Sequence, residues 1–364
     1  MVKEFPYLMP DVVFPPGETL LESLECKGMT QVELAKRTGV TTKHISEIVK
    51  GKIAISPNTA LKLESALGVP ASMWMALEQQ YQEHLARQRE YEQLKTQKKL
   101  LKRYPIKEMI QLGWLEATED EYASLKQLHV FLGTASLELW DAMCSRQVYS
   151  TAFRQSSSFG ADQNALALWL RKGEIDAYSI ECQPYSESSF RAVLAEVRNL
   201  TAHLPEDFVS CVQNICAKAG VAVVFVPELK GCRVSGAARW QGSSKAIIQL
   251  SARYKTDDHL WFSFFHEAGH VLLHSKKTLH VEIERNAKTK DEREADKFAS
   301  DYLIPPTAYS EFIRETGPHF SADSVTAFAA KIGIAPGIVV GRLQHDCYIP
   351  YANLNGLKEK VART

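Results

Sequence analysis

The sequence predicts a multi-domain, mainly α-helical protein that contains one α+β domain with a small sheet. Three observations support this fold class. The 364 residues exceed the usual size of one domain, helix-period apolar patterns fill both ends of the chain, and β-type runs occur only between residues 221 and 251. We expect an N-terminal helical domain over 1–80, a helical connector over 81–150, an α+β domain over 151–310 and a C-terminal helical extension over 311–364.

Composition and charge exclude two classes of protein. Lys and Arg number 43, as do Asp and Glu, so the net charge is zero and binding of nucleic acid by bulk charge alone is excluded. No apolar run reaches the roughly eighteen residues of a membrane-spanning helix, and the start MVKEFPYLMP lacks the pattern of a signal peptide. We therefore expect a cytoplasmic protein without membrane contact, whose cysteines are reduced thiols.

The segment from Thr30 to Gly51, TQVELAKRTGVTTKHISEIVKG, predicts a helix, a tight turn and a second helix. Thr30 is a suitable N-cap with Glu33 three residues later, Gly39 allows the turn, and Thr41 or Thr42 caps the second helix. The predicted buried side consists of Leu34, Val40, Ile45 and Ile48, and Ala35 is small where the two helices would cross. This pattern is typical of a helix-turn-helix, whose second helix enters the major groove of DNA.

Basic residues are concentrated on the same segment, because residues 36–52 contain five Lys or Arg and a single Glu. We expect a double-stranded DNA operator as partner, with a phosphate near Gln31. The predicted contacts of the second helix are Thr42, Lys43, His44, Ser46 and Lys50. A solvated basic face is the alternative. One such motif reads half of a site, so we expect a homodimer.

The middle of the chain is predicted to contain a connecting helix, a loop and strands. Residues 78–103 are polar and predict a solvated connecting helix, with DNA backbone contact as the alternative. Residues 153–163 predict a loop. Strands are predicted at Val221–Pro227 and Lys245–Ser251, with a third at 235–239.

An apolar helix over residues 260–274, LWFSFFHEAGHVLLH, carries His266, Glu267 and His270 in the HExxH spacing. Residues four apart lie on one helix face, so both imidazoles can point at one ion about 2.0–2.1 Å away. Glu267 is then placed beside the ion's water, and apolar neighbours keep the site dry. We predict Zn²⁺ as cofactor, His266 and His270 as ligands and Glu267 as the catalytic base. A chance histidine pair on a buried helix is the alternative.

A second helix, predicted from DEREADKFASDYLIPP at 291–306, supplies the third ligand. Glu292 and Asp296 are four residues apart on one face. We predict Glu292 as the ligand and Asp296 as the acceptor of a hydrogen bond from the unliganded nitrogen of His266. Small Ala295 and Ala299 would allow close approach of the two helices. Glu294 is the competing ligand.

These ligands predict hydrolysis of a peptide bond by a metal-activated water. The strand KAIIQLS would offer an edge to which an extended peptide adds. Tyr254, His280 and Tyr302 lie within chain reach as oxyanion donors, and none is assigned.

The motifs resemble two known families joined in one chain. Residues 17–80 resemble the XRE-type helix-turn-helix domain, most closely the HigA antitoxin branch, through TQVELAKRTGVTTKHISEIVKGKIAIS and ALKLESALGVPASMWMALE. Residues from about 150 to 345 resemble the ImmA/IrrE family of zinc metallopeptidases, through FHEAGHVLLH and EREADKFASDYLIPP. That resemblance implies a zincin-like fold, zinc on His266, His270 and Glu292, a catalytic Glu267, and helix-turn-helix repressors as substrates.

The sequence therefore predicts a DNA-binding transcriptional regulator with a zinc endopeptidase domain that cleaves a repressor-type regulator or itself. The alternative is an antitoxin-like or ligand-sensing repressor. In that case the zinc domain is a sensor or holds a partner, such as a toxin, without proteolysis.

Overall fold

The computed structural model describes residues 13–144, 162–203, 205–251, 256–283 and 289–361. The chain divides into two compact units, Met1–Lys99 and Leu100–Thr364. The predicted fold class is confirmed, since helices predominate and one small sheet lies in the second unit. The predicted boundary at residue 150, most of the predicted loop at 153–163, and Tyr254 lie outside the described residues.

The first unit consists of short helices that pack around one core. They are α1 (Pro16–Cys26), α2 (Gln31–Thr38), α3 (Thr42–Val49), α4 (Pro57–Leu67) and α5 (Ala71–Gln97). The predicted caps are present. The Thr30 hydroxyl accepts a hydrogen bond from the Glu33 N–H at 3.1 Å, and Thr41 accepts one from the His44 N–H at 3.2 Å. Gly39 turns the chain in the left-handed region with φ 65°.

Close packing and one buried carboxylate stabilise this unit. A Cβ at Gly17 would lie 2.2 Å from the Ile48 carbonyl oxygen, so glycine lets α1 contact the backbone of α3. Leu34, Ile45 and Trp74 are fully buried between the helices. The Glu78 carboxylate accepts a hydrogen bond from the Ile55 N–H at 2.9 Å, which ties α5 to the loop before α4.

The second unit surrounds a four-stranded sheet with helices. The helices are α6 (Ile106–Gln111), α7 (Glu121–Leu132), α8 (Leu137–Cys144), α9 (Gln163–Tyr178), α10 (Glu187–Leu200), α11 (Phe208–Ala217), α12 (Asp257–Leu273), α13 (Lys290–Leu303), α14 (Pro306–Thr316), α15 (Ala322–Ile332) and α16 (Pro336–His345). The strands are β1 (Val221–Val226), β2 (Val234–Gln241), β3 (Lys245–Ser251) and β4 (His280–Ile283).

The strand order β1-β3-β2-β4 corrects one expectation. KAIIQLS is β3, which pairs parallel with β1 and antiparallel with β2, so it is a central strand and offers no free edge. The edge beside β2 is β4, where Ala238 pairs with His280. Sequence reasoning missed β4 because four residues are too few to show a strand pattern.

Helices cover both faces of the sheet, which explains the apolar β1 and β3. On one face, Gln249 donates to the Trp169 carbonyl of α9 at 2.7 Å. Arg239 on that face donates to the Leu170 carbonyl at 2.9 Å. On the other face, Ala238 and Ile248 belong to the core formed with α12, α15 and α16. The HExxH helix α12 is therefore buried against the sheet along almost its whole length.

Residues 100–144, which fall within the predicted connector, pack in the second unit. Arg171 Nε of α9 donates to the Phe131 carbonyl of α7 at 2.8 Å. The Lys230 N–H donates to the Glu108 carboxylate of α6 at 2.8 Å. Within the described residues no single helix is long and apolar enough to cross a membrane, although the bent pair α15 and α16 meets length and composition criteria together.

Candidate metal centre

Two helices approach closely because small residues face each other. A Cβ at Gly269 of α12 would lie 3.2 Å from the Ala295 Cα of α13. Ala295 and Ala299 are fully buried at this crossing. The close approach brings the first turns of α13 alongside the histidines of α12.

Three side chains from the two helices converge on one point. His266 Nε2 lies 3.0 Å from His270 Nε2 and 3.1 Å from Glu292 Oε2, and His270 Nε2 lies 3.6 Å from Glu292 Oε1. Ligand atoms arranged tetrahedrally about 2.1 Å from a zinc ion lie about 3.4 Å apart. The observed spacings match that edge length, and two imidazole nitrogens with one carboxylate form a ligand set that zinc takes in catalytic sites.

Acidic partners hold the outer sides of the histidines. His266 Nδ1 lies 3.0 Å from Asp296 Oδ1, so the structure brings the predicted pair together. Glu294, the competing ligand, contacts His274 and not the cluster of His266, His270 and Glu292. Its Oε2 lies 3.3 Å from His274 Nε2. The hundred-degree rotation per helical residue turns Glu294 away from the face that carries Glu292 and Asp296.

Glu267 is fully buried, and neither carboxylate oxygen has a hydrogen-bond partner among the described residues. Its position depends on Gly236 of β2, since a Cβ there would lie 2.5 Å from Glu267 Oε1. Burial raises the pKa of Glu267 well above its ordinary value. A buried carboxylate without partners is costly, so the site is suited to a cation, a water molecule or a substrate beside Glu267.

Sequence reasoning missed Glu282 and named His280 only as an unassigned oxyanion candidate, and both residues lie on β4. Glu282 accepts a hydrogen bond from the Ser263 hydroxyl at 2.8 Å, and burial raises the pKa of its carboxyl. The His280 ring stacks on His270 with a centroid distance of 4.1 Å. Burial lowers the pKa of His280 to about 3. The one usable signal was the short alternation HVEI after the HExxH helix.

The electrostatics favour a cation between the imidazoles. Burial opposes a charge on His266, but the carboxylates of Glu282, Asp296 and Glu292 outweigh it and raise the pKa of His266 well above its ordinary value. Burial likewise opposes the charge on Glu292, yet hydrogen bonds with His266 and His270 lower its pKa. Glu292 and Asp296 contact the imidazoles, and the buried carboxyls of Glu267 and Glu282 add acidic groups beside them, so a divalent ion would be stabilised there.

The oxyanion candidates differ in their surroundings. The Tyr302 ring packs between Phe265 and Phe298, at centroid distances of 5.1 and 5.4 Å. The His280 Nε2 is buried and has no hydrogen-bond partner among the described residues.

In the first unit, α3 presents part of the predicted DNA contact set to solvent. Thr42, Lys43 and Lys50 are exposed. Lys43 Nζ lies 3.9 Å from the Glu47 carboxylate one turn away. Gln31, His44 and Ser46 are half-buried.

Comparisons with known proteins match these two regions separately. A helix-turn-helix family model matches residues 24–74, and the model of the IrrE N-terminal-like domain, of the M78 peptidases, matches residues 216–343. A solved addiction module antidote protein of a HigA family from Coxiella burnetii is 28% identical, with a TM-score of 0.20. The match covers 25% of this chain and 91% of that chain. No curated protein sequence matches the chain significantly. The chain thus carries an XRE-type helix-turn-helix domain followed by an IrrE N-terminal-like domain of the M78 peptidase family.

Proposed function

We propose that this protein is a DNA-binding transcriptional regulator whose second unit is a zinc-dependent endopeptidase. One observation carries the peptidase half. Three ligand atoms of His266, His270 and Glu292 lie within 4.8 Å of one another, on the same helix pair as Glu267, whose carboxylate has no hydrogen-bond partner in the described part of the chain. The family match to the M78 peptidases supports the same chemistry.

His266, His270 and Glu292 would hold the zinc ion. When bound, zinc supplies a Lewis acid that polarises a peptide carbonyl and lowers the pKa of a water molecule. Glu267 has no hydrogen-bond partner among the described residues, so its carboxylate is available to accept a proton from water and to pass it to the leaving amine. Asp296 accepts the Nδ1 proton of His266 and leaves the Nε2 lone pair free for the ion.

The proposed substrate is a helix-turn-helix repressor or another copy of the chain itself. An extended segment of such a protein would add to the edge strand β4, whose His280 stacks on His270. Cleavage would end repression. We propose that this chemistry operates in the cytoplasm, where DNA and repressor are both accessible.

The first unit would position the protein on an operator. The second helix of the motif, α3, would enter the major groove with Thr42, Lys43 and Lys50, joined by His44 and Ser46, while Gln31 approaches a phosphate. Because one motif reads half of a site, the proposed DNA-bound form is a homodimer.

Measurements of zinc content and of substrate cleavage together test the proposed peptidase activity. We expect about one zinc per chain by elemental analysis, lost in His266→Ala and retained in Glu267→Gln. Glu267→Gln should cleave a purified repressor encoded near the gene about 10²–10⁴-fold more slowly than the unaltered chain, because the proton acceptor is missing. Absence of specific zinc under zinc-replete conditions would refute the peptidase assignment. Bound zinc with no Glu267-dependent cleavage would favour a sensor or partner-holding domain.

A further inference from the structure

We infer that His274 and Glu294 are positioning residues for His270, and that they form a hydrogen-bonded chain which holds this imidazole in the tautomer that can bind the metal. The inference rests on the proposed zinc site and extends it to His274 and to Glu294, which the sequence offered only as a competing ligand. It assigns His274 a function beyond that of a structural histidine at the end of the HExxH helix.

The contacts from His270 through His274 to Glu294 form a continuous series. His274 directly follows α12, one turn after His270, and its N–H still donates to the His270 carbonyl at 3.2 Å. Its ring Nδ1 lies 2.9 Å from His270 Nδ1, and its Nε2 lies 3.3 Å from Glu294 Oε2. The three residues therefore link the metal-facing imidazole to a carboxylate near the protein surface.

The position of one proton decides the tautomer of both rings. Two imidazole nitrogens 2.9 Å apart share one proton, because two lone pairs or two N–H groups would repel each other. Glu294 can only accept, so it favours the His274 tautomer with a proton on Nε2. His274 Nδ1 is then an acceptor, and His270 must carry its proton on Nδ1. The Nε2 of His270 is left with its lone pair facing His266 and Glu292.

The opposite arrangement would disable the ligand. If His274 donated from Nδ1, His270 would carry its proton on Nε2, within 3.0 Å of His266 Nε2. A protonated Nε2 cannot bind a metal ion. Glu294 therefore acts on His270 through His274, as Asp296 acts on His266 by direct contact at 3.0 Å.

Stacking restricts the remaining freedom of these rings. The His280 ring lies against His270 at 4.1 Å with an interplanar angle of 20°, and 5.2 Å from the His274 ring. Lys290 Nζ lies 3.4 Å from Glu294 Oε1, on the oxygen that His274 does not use. That contact leaves Glu294 Oε2 to His274.

The zinc affinity of the 364-residue protein tests whether His274 and Glu294 position His270. We would measure it by competition with a chromogenic chelator for the unaltered protein, His274→Phe, His274→Asn and Glu294→Gln. His274→Phe keeps a ring and removes the acceptor, so we expect its zinc dissociation constant to rise about 10–100-fold. His274→Asn should recover part of the loss, since its amide oxygen can accept. Glu294→Gln should raise the constant by a smaller factor. His259→Phe, an exposed position on the same helix, is the matched control and should change nothing.

A second readout separates positioning from general stability. Nitrogen-15 shifts of the histidine rings report the tautomer. In the zinc-free protein, His270 should be protonated at Nδ1 in the unaltered chain but not uniformly so in His274→Phe. Far-UV circular dichroism of each variant verifies folding, and the Asn and Gln variants decide the question if the Phe variant does not fold.

The outcomes distinguish the two proposals. If the unaltered chain binds no zinc, the proposed function fails and the inference fails with it. If the unaltered chain binds zinc and all three variants bind it equally, with unchanged His270 shifts, only the inference is overturned. A second zinc that is lost in His274→Phe, while the first keeps its affinity, would also overturn it, because His274 would then be a ligand with Asp291 and Glu294.

Discussion

Glu267 owes its position to a side chain that is absent from the neighbouring strand. Gly236 lies on β2, and a methyl group there would approach Glu267 Oε1 to 2.5 Å. The far end of a glutamate can move away, so an added methyl group would displace the carboxylate without deleting it. Other contacts hold the three metal ligands, so these side chains would stay in place.

Gly236→Ala should therefore separate catalysis from metal binding. We expect zinc content to remain near one per chain while substrate cleavage falls about 10²–10⁴-fold, as for loss of a general base. Elemental analysis and a cleavage assay measure the two quantities. Gly356→Ala is the matched control, because a Cβ there meets nothing within 4 Å. Full cleavage by Gly236→Ala would show that Glu267 is not the base or does not need this position.

At the scale of elements, the C-terminal segment is attached to the start of the HExxH helix. The Asp257 N–H donates to the Glu359 carbonyl at 3.0 Å, and the Glu359 N–H donates to the Asp257 carboxylate at 3.0 Å. The next residue, Asp258, forms an ion pair with Lys358 at 2.6 Å, and both side chains are nearly buried. These contacts fix the end of α12 that is distant from the metal ligands.

Asp257 should make the stability of this attachment depend on pH. Burial, with a contribution from the Asp258 carboxylate, raises the pKa of Asp257 from 3.8 to about 6. The folded state then binds a proton more tightly than the unfolded state between these two values. The free energy of unfolding contributed by this group therefore falls as pH rises from about 4 to 6.

Asp257→Asn should remove that dependence, since an amide is neutral and still accepts from Glu359. We expect the difference in unfolding free energy, variant minus unaltered chain, to become more positive by on the order of 1–3 kcal/mol as pH rises from 4 to 7. Urea denaturation at several pH values measures the difference. Asp323→Asn, at an exposed position, is the control. A difference between the variant and the unaltered chain that is independent of pH would contradict the prediction.

At the scale of the whole molecule, positive and negative charges balance. The net charge is zero, yet residues 36–52 carry five Lys or Arg against one Glu. DNA affinity must then come from this local patch, because the chain as a whole has no excess of positive charge. Each lysine that contacts a phosphate releases about one counterion, which makes the affinity depend on salt.

Lys43→Ala and Lys50→Ala should each reduce the steepness of that salt dependence. We expect the slope of log affinity against log salt to become shallower by about one per substitution, with weaker binding on all sequences. Titration of DNA from upstream of the protein's own coding sequence, at several salt concentrations, measures the slope. Lys27→Ala, exposed after α1, is the control. An unchanged slope in both variants would place the DNA contact elsewhere.

Local spacing alone was enough to predict part of this protein. The caps Thr30 and Thr41, the turn at Gly39 and the two motif helices follow from interactions within a few residues. The HExxH spacing puts His266 and His270 on one face by helix geometry, and the same rule pairs Glu292 with Asp296. Such features depend on neighbours along the chain, so the sequence by itself determined them.

Only the tertiary structure decided which segments meet. Strand order makes β3 central and β4 the edge, against the expectation for KAIIQLS, because pairing joins residues that are far apart in sequence. Glu282, the dependence of Glu267 on Gly236, and the contact between His274 and Glu294 arise from the same packing of distant elements. No local pattern encodes such contacts, since they depend on how α12, α13 and the sheet bury their apolar faces together.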